Sequence, residues 1–117
     1  MEKDLEQRTK RFSLSVLKLC SKLPRDRAAE ILARQLIRSA TSVGANYREA
    51  NRAVSRSDFR NKLGTVQKEA AETQYWLELL IESGLASASA AAIHAESSEL
   101  LAIFTAIGKK LNRETET

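Results

Sequence analysis

Histidine, cysteine, proline and glycine are nearly missing from this sequence, and each shortage argues against a class of function. One histidine, His94, in 117 residues argues against a histidine-built metal centre or a catalytic triad. A di-iron bundle needs Glu-x-x-His motifs, yet Ala91 stands three positions before His94. One cysteine, Cys20, cannot form an internal disulfide, which fits a reducing cytoplasm. Four glycines, one proline and few aromatic residues argue against a many-turned β sandwich and against a glycine-rich nucleotide-binding fold. No phosphate-cradling loop or nucleophile elbow occurs. The longest apolar run, Leu100 to Gly108, is shorter than the ~20 residues that span a bilayer. The start, Met1-Glu2-Lys3-Asp4, is not followed by the apolar stretch of a secretory signal. These absences set the expectation of a cytoplasmic, non-enzymatic protein with no cofactor and no metal.

What is present is helical periodicity. Hydrophobic residues make up 43% of the chain, too many for a disordered segment, and the length suits one domain, residues 1–117. Leu5, Phe12, Val16, Leu19 and Leu23 form one stripe and predict a first helix over about 4–23. Pro24 interrupts it and is expected in the first turn of the next helix, where its missing N–H does no harm. Ala29, Leu32, Leu36, Ala40, Val43 and Tyr47 predict a second helix over about 25–53. Within it Gly44 is a weak point that could admit a neighbouring helix.

Ser55 is placed to cap a third helix over about 56–83, with Asp58 in its first turn. From Phe59 through Leu63, Val66, Ala70, Thr73 and Leu77 to Leu80, spacings of four and three build an a/d seam. Gly84 marks its end. Ile93, Leu100, Phe104, Ile107 and Leu111 predict a fourth helix over about 88–111, followed by a polar tail from Asn112 that is expected to fray. Four amphipathic helices with short links predict an all-α fold, an antiparallel up-down four-helix bundle.

Some apolar residues lie off these stripes. Leu14 and Leu17 fall on the far side of the first helix, Ile31 and Ile37 flank the second, and Tyr75, Trp76 and Leu79 widen the third. They either broaden the core or cover a second surface between copies of the chain.

The net charge is +4, and it is unevenly placed. Residues 1–55 carry 12 Lys/Arg against 6 Asp/Glu, whereas residues 56–117 carry 7 against 9. On the first helix Arg8, Arg11, Lys18 and Lys22 share an arc beside the apolar stripe. On the second, Arg27, Arg34, Arg38, Arg48 and Arg52 lie opposite the core stripe. Such a row suits phosphates electrostatically, and arginine adds a fork of donors. The plainer reading is a solvated face or arginines paired with carboxylates. No RNA-binding module signature is present, so binding would rest on backbone charge and weaken with salt. The carboxylates Glu69, Glu72, Glu78 and Glu82 read as solvated or paired, and Cys20 as a small core or interface residue.

Two segments are distinctive: Gln35 to Ala50, reading QLIRSATSVGANYREA, and Lys68 to Leu80, reading KEAAETQYWLELL, the latter preceded by Ser55 and Asp58-Phe59. Together they resemble the bacterial four helix bundle protein family, whose founding members are encoded in intervening sequences of large-subunit ribosomal RNA genes. The accessory variability determinant of diversity-generating retroelements is similar to it. The resemblance runs from the Leu5–Phe12 region to Leu111. It implies a cytoplasmic bundle assembling as a ring-like homopentamer without known catalytic activity. For the retroelement relatives it implies a basic barrel that binds nucleic acid and a reverse transcriptase.

The matching motif residues are Arg38, Ser39, Asn46, Glu49, Glu72, Tyr75 and Trp76, with structural roles implied. Ser39, Ser42 and Asn46 could bond another helix, and Glu72 could pair with a motif arginine. Tyr47 and the stretch Gly64-Thr65-Val66-Gln67 depart from the family pattern. Two functions remain in view. One is a pentameric module binding RNA or DNA backbone through the basic face of the first two helices. The other is a protein-interaction scaffold whose arginines serve subunit contacts.

Overall fold

In a computed structural model that describes the backbone of residues 2–116, the chain forms four helices and, among those residues, no strand. They are α1 (Glu2–Ser21), α2 (Arg27–Asn51), α3 (Arg56–Glu82) and α4 (Ala90–Glu116). The helices pack into a rod of 51 × 22 × 21 Å. Each runs beside two others among the described residues, with α2 along α3 the most extensive pairing, while α1 and α3, and α2 and α4, stand diagonally across the bundle.

The stripes read from the sequence form the core. Phe12 and Val16 of α1, Leu36 and Val43 of α2, Leu63 and Leu77 of α3, and Leu100 and Phe104 of α4 are buried in one cluster. Tyr47, unusual for the family pattern, is 2% exposed and its ring tilts against Phe104 with centroids 5.2 Å apart. Cross-helix contacts keep a steady register. Along α3 and α4 the partners are Arg56 with Glu114, Gln67 with Phe104, Gln74 with Ser98 and Glu78 with His94. Partners advance along α3 as they retreat along α4.

Helix ends follow local chemistry. Ser55 accepts from the N–H of Asp58 at 3.0 Å, and the Asp58 carboxylate accepts from the N–H of Val54 at 3.2 Å. This reciprocal arrangement satisfies two otherwise orphaned donors. Gly84, with φ of 79°, supplies the left-handed turn after α3. Leu85 and Ala86 then return to the core.

Three expectations need correction. Pro24 is not in the first turn of α2: the helix starts at Arg27, because Asp26 caps it by accepting from the N–H of Ala29 at 3.1 Å. Aspartate is among the favoured caps, and none of Lys22, Leu23, Pro24 and Arg25 before it can cap. The tail from Asn112 is helical rather than irregular: α4 continues to Glu116, with Glu114 paired to Arg56 at the start of α3. Thr117 lies outside the described residues. Finally, Ala90–Glu114 is long and apolar enough to cross a membrane by length and composition alone, a longer stretch than Leu100 to Gly108. In the bundle, Leu100 and Phe104 are core residues, while Glu96 and Glu99 bind Arg8.

Gly44 does admit a neighbouring helix. A Cβ there would lie 3.1 Å from Thr9 Oγ1 and 3.3 Å from Thr9 Cβ, so α1 and α2 approach closely at this point. Thr9 is fully buried and its hydroxyl donates to the Leu5 carbonyl at 2.8 Å.

Candidate nucleic-acid interface

The nine cations singled out in the sequence fall into two groups. Arg8, Arg38 and Arg48 are engaged within the chain. Arg8 reaches from α1 to α4, where Nε and Nη2 donate to the two oxygens of Glu96 at 2.7 and 2.8 Å. Its Nη2 also lies 3.0 Å from Glu99. This forked geometry is the strong form of the arginine–carboxylate pair. It holds the Glu96 carboxyl below its usual range and raises the guanidinium further above its own. Arg38 bridges α2 to α3 by pairing with Glu69 at 3.1 Å and with Glu72. Arg48 lies 3.7 Å from Glu6 of α1.

Arg11, Lys18, Lys22, Arg27, Arg34 and Arg52 are exposed. Arg52 donates to the Arg48 carbonyl at 3.3 Å. None of the six has a carboxylate within ion-pair distance among the described residues. They do not make one continuous surface on a single chain. Lys18 and Lys22 line a groove with Ser89, just before α4, and Ile93 of α4, so the basic arc of α1 runs along the α1/α4 seam. The Arg27, Arg34 and Arg52 positions of α2 lie opposite its core stripe. The sequence could show which arc of each helix is basic but not how the helices are rotated against each other.

The family-motif residues knit α2 to α3. Ser39 is buried, donates to the Leu36 carbonyl at 3.3 Å, and meets the Thr73 hydroxyl at 2.9 Å. Ser42 and Asn46 instead bond the backbone of their own helix, to Arg38 at 2.7 Å and Ser42 at 2.8 Å. Only Ser39 of the three thus makes the cross-helix bond. Glu72, besides pairing with Arg38, accepts from Trp76 Nε1 at 3.1 Å. Tyr75 stands edge-on to Trp76 at 5.2 Å and is half exposed. Glu49 is exposed on α2. Of the off-stripe apolar residues, Leu14, Leu17, Ile31 and Tyr75 are exposed, whereas Ile37, Trp76 and Leu79 are partly buried.

Sequence reasoning missed Glu96 and Glu99 as the partners of Arg8. It also missed Gln67, which donates to the Phe104 carbonyl at 2.9 Å. Among the described residues, no group of three or more His, Cys, Asp or Glu could hold a metal. His94 lies 3.3 Å from Glu78. Cys20 is a free thiol packed against the core, and burial pushes its pKa up, away from the reactive thiolate.

Helix count, packing and polar seams define a class: an all-α four-helix protein with charged bridges between helices and further cations left on its surface. Within that class, the chain belongs to the 23S rRNA-intervening sequence protein family, which it matches over residues 2–112. It is also similar to a protein of unknown function from the S23 ribosomal protein family of Bacteroides thetaiotaomicron, known from its crystal structure. The two are 36% identical and superpose with a TM-score of 0.83, over 93% of this chain and 99% of the other. No curated protein matches.

Proposed function

We propose that the protein is a non-enzymatic, cytoplasmic nucleic-acid-binding module, an up-down bundle that works as a ring-like homopentamer. The observation that carries this reading is the set of six exposed cations with no carboxylate within ion-pair distance among the described residues, three of them on the outer side of α2. Such groups attract a polyanion without sequence preference and release its counterions. Because the α1 and α2 arcs are not continuous on one chain, repetition around a ring would supply the extended basic surface. The family description names the 23S rRNA, which makes ribosomal RNA the first target to test. A reverse transcriptase enters as a partner only through the resemblance to the retroelement accessory protein.

The scaffold reading is favoured by other features. Leu14, Leu17 and Ile31 are exposed apolar side chains on α1 and α2, suited to contacts between subunits. The two readings separate in one experiment. Arg34→Glu with Arg52→Glu is expected to leave the oligomer mass unchanged in light scattering while abolishing retention of labelled rRNA fragments in a gel-shift assay. Equal retention by both proteins supports the scaffold reading. A monomeric wild-type mass contradicts the ring.

A further inference from the structure

The basic arc of α1 is divided by what stands across from it. Arg8, Arg11, Lys18 and Lys22 recur at spacings that place them on one side of the helix. At the Lys18–Lys22 end, the lining of the groove contains no carboxylate. The Arg8 end meets Glu96 and Glu99 of α4. Both oxygens of Glu96 take the Nε–Nη2 edge of the Arg8 guanidinium, an edge with which arginine grips a phosphate at two points. Glu99 brings a third oxygen to Nη2 at 3.0 Å. Arg8, and to a smaller extent Arg11, keep the Glu96 carboxyl ionised to lower pH, so both cations at this end of the arc act on the same carboxylate.

Three carboxylate oxygens around one guanidinium imitate the oxygens of a phosphate group. One carboxylate is enough to tie α1 to α4. Glu99 is 64% exposed at its side chain, so it contributes charge at this point rather than packing. We infer that Glu96 and Glu99 mask Arg8: they form an internal competitor that withholds this arginine from an incoming polyanion, leaving the α1 arc open at Lys18 and Lys22 and closed at Arg8. The inference rests on the basic-surface reading and adds an autoinhibitory contact to it. Neutralising the two carboxylates releases Arg8 beside Arg11 and extends the basic surface along the α1/α4 seam. The mask comes from a contact across 88 positions, so the basic arc of α1 seen in isolation gives no hint of it.

The test is a double-mutant cycle on the full chain, with a labelled 23S rRNA fragment in dilute buffer as the probe. Arg8→Gln is measured in wild type and in Glu96→Gln with Glu99→Gln. In wild type it should change affinity by less than about twofold, because the arginine is already occupied. The two glutamines should raise affinity about tenfold, as expected for gaining one charge-assisted contact. Arg8→Gln should then remove that gain. A tie that serves only the fold predicts the same effect of Arg8→Gln in both backgrounds, and that result overturns the inference. A second measurement needs no variant and so does not depend on the glutamine protein folding. As RNA is added to wild type, the Nε–H resonances of Arg34 and Arg52 should shift while that of Arg8 stays in place; movement of Arg8 with them overturns the mask. Binding by both proteins without coupling at Arg8 sinks this inference and spares the basic-surface reading. Binding by the glutamine variant alone upholds the mask and contradicts that reading for the native chain, and binding by neither overturns both.

Discussion

Replacing two glycines by alanine should move stability in opposite directions. At Gly64 an added methyl group meets nothing within 4 Å, so only the helix-propensity gain remains, about 1 kcal/mol. At Gly44 the same gain is opposed by Thr9, whose Oγ1 and Cβ would lie 3.1 and 3.3 Å from the new carbon. Thr9 has little freedom to yield, because it is fully buried and its hydroxyl is bonded to the Leu5 carbonyl. Helix α1 would have to move, and overpacking of this kind costs about 1–3 kcal/mol. Gly44→Ala should therefore range from neutral to about 2 kcal/mol destabilising.

Urea unfolding followed by circular dichroism measures the difference, provided the slope is unchanged between variants. Protein concentration must be fixed, since assembly would add a concentration-dependent term. In a Thr9→Ala background the shortest contact is gone, so Gly44→Ala should become more favourable, a coupling that a double-mutant cycle reads directly. If Gly44→Ala raises the midpoint as much as Gly64→Ala, the close approach of α1 to α2 at this point is refuted.

Three further outcomes are expected. Ser97 is 2% exposed and its hydroxyl has no hydrogen-bond partner among the described residues; Ser97→Ala should stabilise the protein by about 1 kcal/mol in the same assay, and a loss of that size would contradict the burial argument. Arg8 lowers the Glu96 pKa, so this carboxylate contributes stability that is complete above its unfolded value of about 4.3 and is lost as pH falls through the depressed folded value. Stability compared between pH 7 and pH 3 should fall by about 1 kcal/mol less in Glu96→Gln than in wild type, and parallel losses would argue against the pair. Gly108→Ala should displace the Gln67 amide, seen as loss of exchange protection of the Gln67 side-chain N–H that donates to the Phe104 carbonyl; unchanged protection would count against that bond.

Much of the fold was legible because helical burial repeats with a period that sequence displays directly. The seam from Leu63 to Leu80, the cap at Ser55 and the turn at Gly84 are local, and all three occur. The start of α2 was misread because a proline signal and a capping carboxylate lie two residues apart, and the carboxylate prevails. The last turns of α4 carry Glu114, which pairs with Arg56, 58 positions away, and no local pattern encodes that contact. The same limit applies to the candidate interface. The basic arcs could be read helix by helix, but the pairing of Arg8 with Glu96 spans 88 positions and that of Arg38 with Glu69 spans 31.

The most direct test of the basic surface is the salt dependence of RNA binding, measured by fluorescence anisotropy with a labelled 23S rRNA fragment. For wild type, affinity should fall linearly with salt on logarithmic axes, and Arg34→Glu with Arg52→Glu should flatten that slope by about two phosphate contacts per chain. An identical slope in both proteins, or no binding by wild type even in dilute buffer, would contradict the account.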